Sequence, residues 1–148
     1  MTCLFLSLRP EFANKIISGV KTVEFRRTRP SVEEGRPVIL YAATPLMCIV
    51  GVGYIEKVVS ASPTRLWEMF GSDGGISRER FRRYFYGLSR GHAITLTDVE
   101  GLDRVVELSE IRNSLPGFQP PQAFMYLELS EVASLGLGVR TSFSELSR

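Results

Sequence analysis

Histidine is almost absent from this chain. His92 is the sole one, and the two cysteines, Cys3 and Cys48, stand far apart without a CxxC spacing. A multi-histidine metal centre is therefore excluded, and so is a cysteine-rich structural zinc site. Serine or cysteine catalysis relayed by histidine would rest on His92 with no supporting motif. No G-x-x-x-x-G-K-[ST] loop is present, which removes a P-loop nucleotide role. No apolar run approaches the roughly 20 residues of a membrane helix. Two isolated cysteines fit a reduced, cytoplasmic setting better than a disulfide framework. The N-terminal MTCLFLSLRPEF lacks a basic leader and a small-residue cleavage site, so a first strand is expected there rather than a signal peptide. Internal repeats and low-complexity tracts are also missing. No membrane partner and no metal or other cofactor is expected, and any hydrolysis would be metal-independent or use an ion held by carboxylates.

What remains is an ordinary globular composition. The 148 residues are 44% hydrophobic and 23% charged, enough for one domain with a proper core. The net charge of +2 hides an asymmetry: residues 1–90 hold 14 Lys+Arg against 8 Asp+Glu, and residues 91–148 hold 4 against 8. Arginine supplies 15 of the 18 basic residues. Its planar fork suits phosphates and base edges, so a nucleic-acid partner would meet the first 90 residues. Arginine-favouring codon usage is the competing explanation of that ratio.

Periodicity organises the chain into about six strands and three or four helices. Cys3 to Leu8 alternates, with Leu4, Leu6 and Leu8 on one face. Pro10 opens a helix whose stripe is Phe12, Ala13, Ile16 and Ile17, and Gly19 closes it. Thr22 to Arg27, Val38 to Ala43, Cys48 to Val59 and Ala93 to Val99 read as strands. Val105 and Val106 read as a short extended piece, and Gln122 to Leu129 as a short helix or strand. Gly51 and Gly53 imply bending or close backbone packing. Ser62–Pro63 and Ser77 each start a helix, and Leu108 to Leu115 is weakly helical. The expected architecture is α+β, a small mixed β-barrel with helices between its strands. It spans residues 1–136, with a C-terminal tail over residues 137–148.

The densest chemistry lies in SGVKTVEFRR, Ser18 to Arg27. In an extended segment Val23 and Phe25 face the core, and Glu24 and Arg26 share the opposite face, with Lys21 at the entrance. A cation, a carboxylate and a guanidinium this close can recognise a polar anionic ligand or support acid–base chemistry. They can equally form a solvated strand edge or a structural ion pair. In the Ser77 helix, Phe81, Tyr84 and Phe85 have core spacing. Arg78, Arg80, Arg82 and Arg83 flank that stripe, and Tyr86 falls off it toward solvent. Basic residues beside an exposed ring are the composition of a single-strand binding surface, and also of a solvated helix face. Trp67 reads as core. Gln122 either reads a base edge or caps a short helix.

LSLRPEFANKIISGVKTVEFRR resembles the start of the ASCH domain, a branch of the PUA-like superfamily. The signature G-x-K-x-x-E-x-R falls on Gly19, Lys21, Glu24 and Arg26. A G-x-x-x-x-x-Y segment follows from Gly35 to Tyr41, and IVGVGYIEKV is similar to the family's glycine-containing strand. Pro120 to Leu127, PPQAFMYL, resembles a segment of ASCH proteins described as predicted transcriptional regulators. The resemblance implies a PUA-like barrel that binds RNA or a modified nucleotide, in transcription or RNA regulation. Its cleft would be lined by Lys21, Glu24 and Arg26, with Arg9, Arg27, Tyr41, Arg82, Tyr86 and Gln122 as further contacts. The enzyme alternative is a metal-independent ribonuclease or nucleoside amidohydrolase using Lys21 and Glu24 as catalytic residues. The ASCH amidohydrolases carry a threonine in place of Glu24, and Glu79 is the nearest candidate for their second acid. A homodimer stays open.

Overall fold

The computed structural model describes residues 2–137. Its elements are β1 (Thr2–Leu8), α1 (Pro10–Ile17), β2 (Val23–Arg26), β3 (Pro37–Ala42), β4 (Cys48–Ala61), α2 (Pro63–Phe70), α3 (Arg78–Tyr84), β5 (Gly91–Glu107), α4 (Leu108–Ser114), β6 (Phe124–Glu128) and α5 (Leu129–Ala133). The tail expected over residues 137–148 lies, past Leu137, outside the described residues. Leu137 itself packs on the core. Among the described residues no helix is long and apolar enough to cross a membrane.

Six strands form one sheet in the order β2-β5-β4-β3-β1-β6. β1 runs parallel to β3, so the chain must cross over between them, and α1 and β2 are that crossover. The other four pairings are antiparallel. Strand alternation sorts the core. Leu4, Leu6 and Leu8 meet Ala13 and Ile16 of α1 on one face. Cys3 and Phe5 turn the other way, toward Ile111 of α4 and Val132 of α5. A third cluster, Val23, Phe25, Leu66, Phe81 and Phe85, fixes α2 and α3 beside β2. Both cysteines are free and buried, and burial pushes the Cys3 thiol up to about 12.

The expected closed barrel is not formed. β2 and β6 end the sheet, and no ladder joins them. β2 is only four residues long and already spends its ladder on β5. A side chain spans the gap instead: the Arg26 guanidinium donates to Ser7 O at 2.9 Å and to Ala123 O at 3.1 Å. The sheet therefore curls until its ends meet across one arginine, and a cleft stays open along that seam.

The curl has a visible cause in β4 and β5, whose pairing shifts register between Ile49 and Gly51, between Val52 and Tyr54, and between Ile55 and Lys57. Gly51 lies under α1, where a Cβ would stand 2.3 Å from Ile17 Cδ1 and 2.9 Å from Glu100 O. The backbone oxygen cannot move aside cheaply. Gly51→Ala is expected to destabilise the fold by about 1–3 kcal/mol in urea unfolding. An unchanged midpoint would mean that α1 is not held against β4.

Candidate nucleic-acid interface

The site begins at the end of α1. Gly19 takes φ +86° and turns the chain, and Lys21 N then donates to Lys15 O at 3.0 Å. Val23 and Phe25 enter the α2–α3 cluster, so Glu24 and Arg26 must face the seam. Glu24 Oε2 accepts from Arg26 Nη2 at 2.7 Å, and Glu24 Oε1 lies 3.4 Å from Lys21 Nζ. Lys21 also donates to Gly74 O, and its ammonium sits 5.0 Å from the Phe12 ring centre and 5.6 Å from that of Phe25. Lys15 donates to the neighbouring Gly75 O at 2.8 Å. Two of the three lysines thus pin the Gly74–Gly75 loop to α1 and β2.

These charged groups are deeply held. Lys21 is 2% exposed and Glu24 6% exposed. Burial is the largest influence on Lys21 and pulls its pKa below the ordinary value; Glu24 opposes this, while Arg26 and Lys15 add to it. Arg26 has three bonded contacts, but its buried Nε–H has no acceptor among the described residues. An acceptor atom brought by a ligand would relieve that cost.

Around this base lies a cleft of about 710 Å³. Arg9, Arg26, Arg27, Arg80, Arg83 and Lys21 line it against one carboxylate, Glu24. Phe12, Phe25, Ile76, Tyr84 and Phe124 supply apolar wall. Arg27 stacks over Tyr84, with its guanidinium carbon 4.5 Å from the ring centre, and donates from Nε to Tyr84 O at 2.7 Å. Arg80 bonds Glu11 at 2.8 Å and lies 5.0 Å over Phe12. Gln122 and Ala123 close the far wall. The Gly19–Arg26 signature and the Pro120–Leu127 segment therefore meet here, joined by the Arg26 bond to Ala123 across 97 residues of sequence.

Six residues expected at the site line this cleft: Arg9, Lys21, Glu24, Arg26, Arg27 and Gln122. Tyr41 does not. It is 1% exposed and packs 5.3 Å from the Phe5 ring, because it shares strand parity with Ile39 and so joins the α4 side of the core. Tyr86 is 89% exposed in the turn just past α3, but it lies off the cleft, and so does Arg82. Glu79 is also outside the cleft, exposed, and 3.3 Å from Arg83. Arg80, Arg83 and Tyr84 take their place. They sit at i, i+3 and i+4, a shared helix face that the spacing already carried. Among the described residues no group of three or more His, Cys, Asp or Glu could hold a metal ion.

The ASCH domain family model matches residues 6–100, which contain this signature. The chain belongs to the ASCH domain family. An ASCH domain-containing ribonuclease of Zymomonas mobilis is 35% identical over 130 residues, 88% of this chain and 87% of that protein. The crystal structure of ASCH from Zymomonas mobilis superposes with a TM-score of 0.86 at 34% identity, covering 90% of this chain and 92% of that one. More distant ASCH-like folds include the human THYN1 protein in complex with 5-methylcytosine-containing DNA. It has a TM-score of 0.55 at 10% identity, over 89% of this chain and 94% of that one. That likeness is one of fold alone.

Proposed function

We propose that this ASCH protein binds single-stranded RNA in the seam cleft and cleaves it there. The observation that carries the reading is a single carboxylate, Glu24, at the base of an arginine-lined cleft, in a chain 35% identical to a ribonuclease. The arginines attract the phosphate backbone, and the apolar wall of Phe12, Phe124 and Tyr84 offers faces on which bases stack. Glu24 takes the proton of a 2′-hydroxyl as its oxygen attacks the adjacent phosphorus. The bond from phosphorus to the 5′-oxygen breaks, and solvent supplies the proton to that leaving oxygen. The products are a 2′,3′-cyclic phosphate and a free 5′-hydroxyl. Arg26 and the cleft arginines neutralise the charge that gathers on the phosphate oxygens. Lys21, at the base of the cleft and only 2% exposed, acts by positioning Glu24. The regulator role implied by the Pro120–Leu127 segment gives way in this reading to RNA turnover, with that segment forming a wall of the cleft.

The test is incubation of end-labelled single-stranded RNA with the protein, with and without a chelator, read by mobility shift and by the termini of the products. Cyclic phosphate termini support the mechanism. Fragments ending in 5′-phosphate would replace it with a water attack, and retention without fragments would leave binding alone. Failure to retain or cut RNA would remove the reading. Binding should also depend on salt. Arg83→Ala is expected to reduce the slope of log K against log salt by about 0.7, the share of one single-strand phosphate contact. Its pair with Glu79 is exposed on both sides, so the fold should be unaffected. An unchanged slope would take Arg83 off the RNA path.

A further inference from the structure

A second polar cluster lies at the end of the sheet, outside the cleft. Arg26 pairs with His92 across β2 and β5, and His92 pairs with Ser60 across β5 and β4. Directly opposed residues put their side chains on one face of a sheet, so Arg26, His92 and Ser60 form a row across three strands. Ser60 Oγ lies 2.7 Å from His92 Nδ1. Arg29 Nη1 donates to the same Oγ at 2.7 Å, and Arg90 Nη2 donates to Ser60 O at 3.3 Å.

Arg29 can only donate, so it uses a lone pair of Ser60 Oγ and leaves the hydroxyl hydrogen free. In the tautomer protonated on Nε2, His92 Nδ1 accepts that hydrogen. The Nε2–H of that neutral imidazole has no protein acceptor among the described residues. Burial, Arg29 and Arg90 all pull the His92 pKa below its ordinary value, which keeps this neutral form in place. Arg29 and Arg90 are exposed, and among the described residues neither has a carboxylate within 4.0 Å. Two unneutralised guanidiniums and an imidazole N–H thus stand around Ser60, which holds them together, with donors and no acid. Such a set recognises a tetrahedral oxyanion.

We propose that Arg29, His92 and Arg90, organised by Ser60, form a phosphate subsite that takes a backbone phosphodiester of the RNA strand held in the Glu24 cleft. The assignment rests on the RNA reading of that cleft. Ser60 is two strands from Arg26, about 10 Å at the usual strand spacing, so one strand of RNA can reach both. The row gives the strand a direction: it leaves the cleft past Arg26 and crosses the ends of β5 and β4.

His92 is the only histidine, so its ring proton on Cε1 is a single resolved reporter in proton NMR. Hexauridylate is expected to shift that resonance and to raise the His92 titration midpoint, because the bound phosphate offsets both arginines. Inorganic phosphate should do the same more weakly. The double variant Arg29→Ala/Arg90→Ala should lose the shift and bind hexauridylate about tenfold more weakly, about one charged contact. Arg29→Lys/Arg90→Lys should recover part of it. Glu24→Gln should leave the His92 shift intact, which separates this subsite from the chemistry in the cleft. Hexauridylate binding by anisotropy with a still His92 signal and an unaffected double variant overturns the subsite and leaves the cleft reading standing. A response to inorganic phosphate without one to hexauridylate overturns its assignment to RNA. Silence toward both probes, with no anisotropy change, overturns both readings.

Discussion

Glu24→Gln is expected to slow RNA cleavage by about 10²–10⁴-fold, the usual contribution of a positioned acid–base group. The side chain keeps its shape, and its remaining carbonyl oxygen can still accept from Arg26 Nη2, now 2.7 Å from Oε2. What it loses is a site for the 2′-hydroxyl proton and the charge facing Lys21, so folding is checked beside the rate. Binding should change far less, because the arginines that line the cleft supply the phosphate contacts. Single-turnover cleavage of a labelled RNA, measured beside its affinity, separates the two. A large fall in rate at nearly constant affinity is the signature of an interaction made in the transition state. A variant that cleaves like the parent would reduce Glu24 to a counter-ion for Lys21 and Arg26, and the reaction would have to find its base elsewhere. Lys21→Met should also slow cleavage, but through the position of Glu24, so its loss should track a disturbed cleft.

Local period made most of the frame legible. β1, α1 and β2 follow from Leu4-Leu6-Leu8, from the Phe12-to-Ile17 stripe and from the Val23/Phe25 alternation, and each falls where those patterns put it. β5 was harder. It runs unbroken for 17 residues, whereas the sequence reads as two pieces. Asp98, Gly101 and Asp103 interrupt the alternation, and Asp98 even takes φ +50°. Pairing with β4 on either side of those residues, with Gly101 itself opposite Gly51, carries the strand through, and that partner cannot be seen in a local window. β6 was ambiguous for a related reason: prolines precede it, and its strand form depends on β1. Closure into a barrel failed on a single long-range detail. The seam is spanned by Arg26 to the carbonyls of Ser7 and Ala123, which lie 19 and 97 residues away.

At the site, alternation alone placed Glu24 beside Arg26 and aimed both away from the core. It could not reveal that Lys21 is buried, because that depends on the Gly74 carbonyl from a loop 53 residues on. Tyr41 went astray through its place in a motif, although its parity with Ile39 argued for the core. On α3 the four arginines looked equivalent. Only the buried positions of Phe81 and Phe85 fix which of them face β2, and these are Arg80 and Arg83.

Glu24→Leu is expected to destabilise the fold by about 3–5 kcal/mol, because it strands a buried ammonium. Lys21 would keep Gly74 O and two ring faces but lose its one carboxylate. Lys21→Met should cost less, since Glu24 would still be bonded to Arg26. The double variant Lys21→Met/Glu24→Leu should cost less than the sum of the two, as contacting charges couple. The pH dependence carries a definite sign. The folded pKa of Lys21 lies below its ordinary 10.5, so between those two values the unfolded chain binds more protons and stability rises with pH. Without Glu24 the folded pKa falls further, and the same rise begins at lower pH. The deficit of Glu24→Leu relative to the parent should therefore shrink between about pH 7 and about pH 9.5, as Lys21 sheds its proton in the variant first. Urea unfolding at the two pH values decides it. A deficit that stays constant with pH would mean that the ammonium finds water in the variant, and that the cluster is held by packing around Phe12 and Phe25 rather than by its charge.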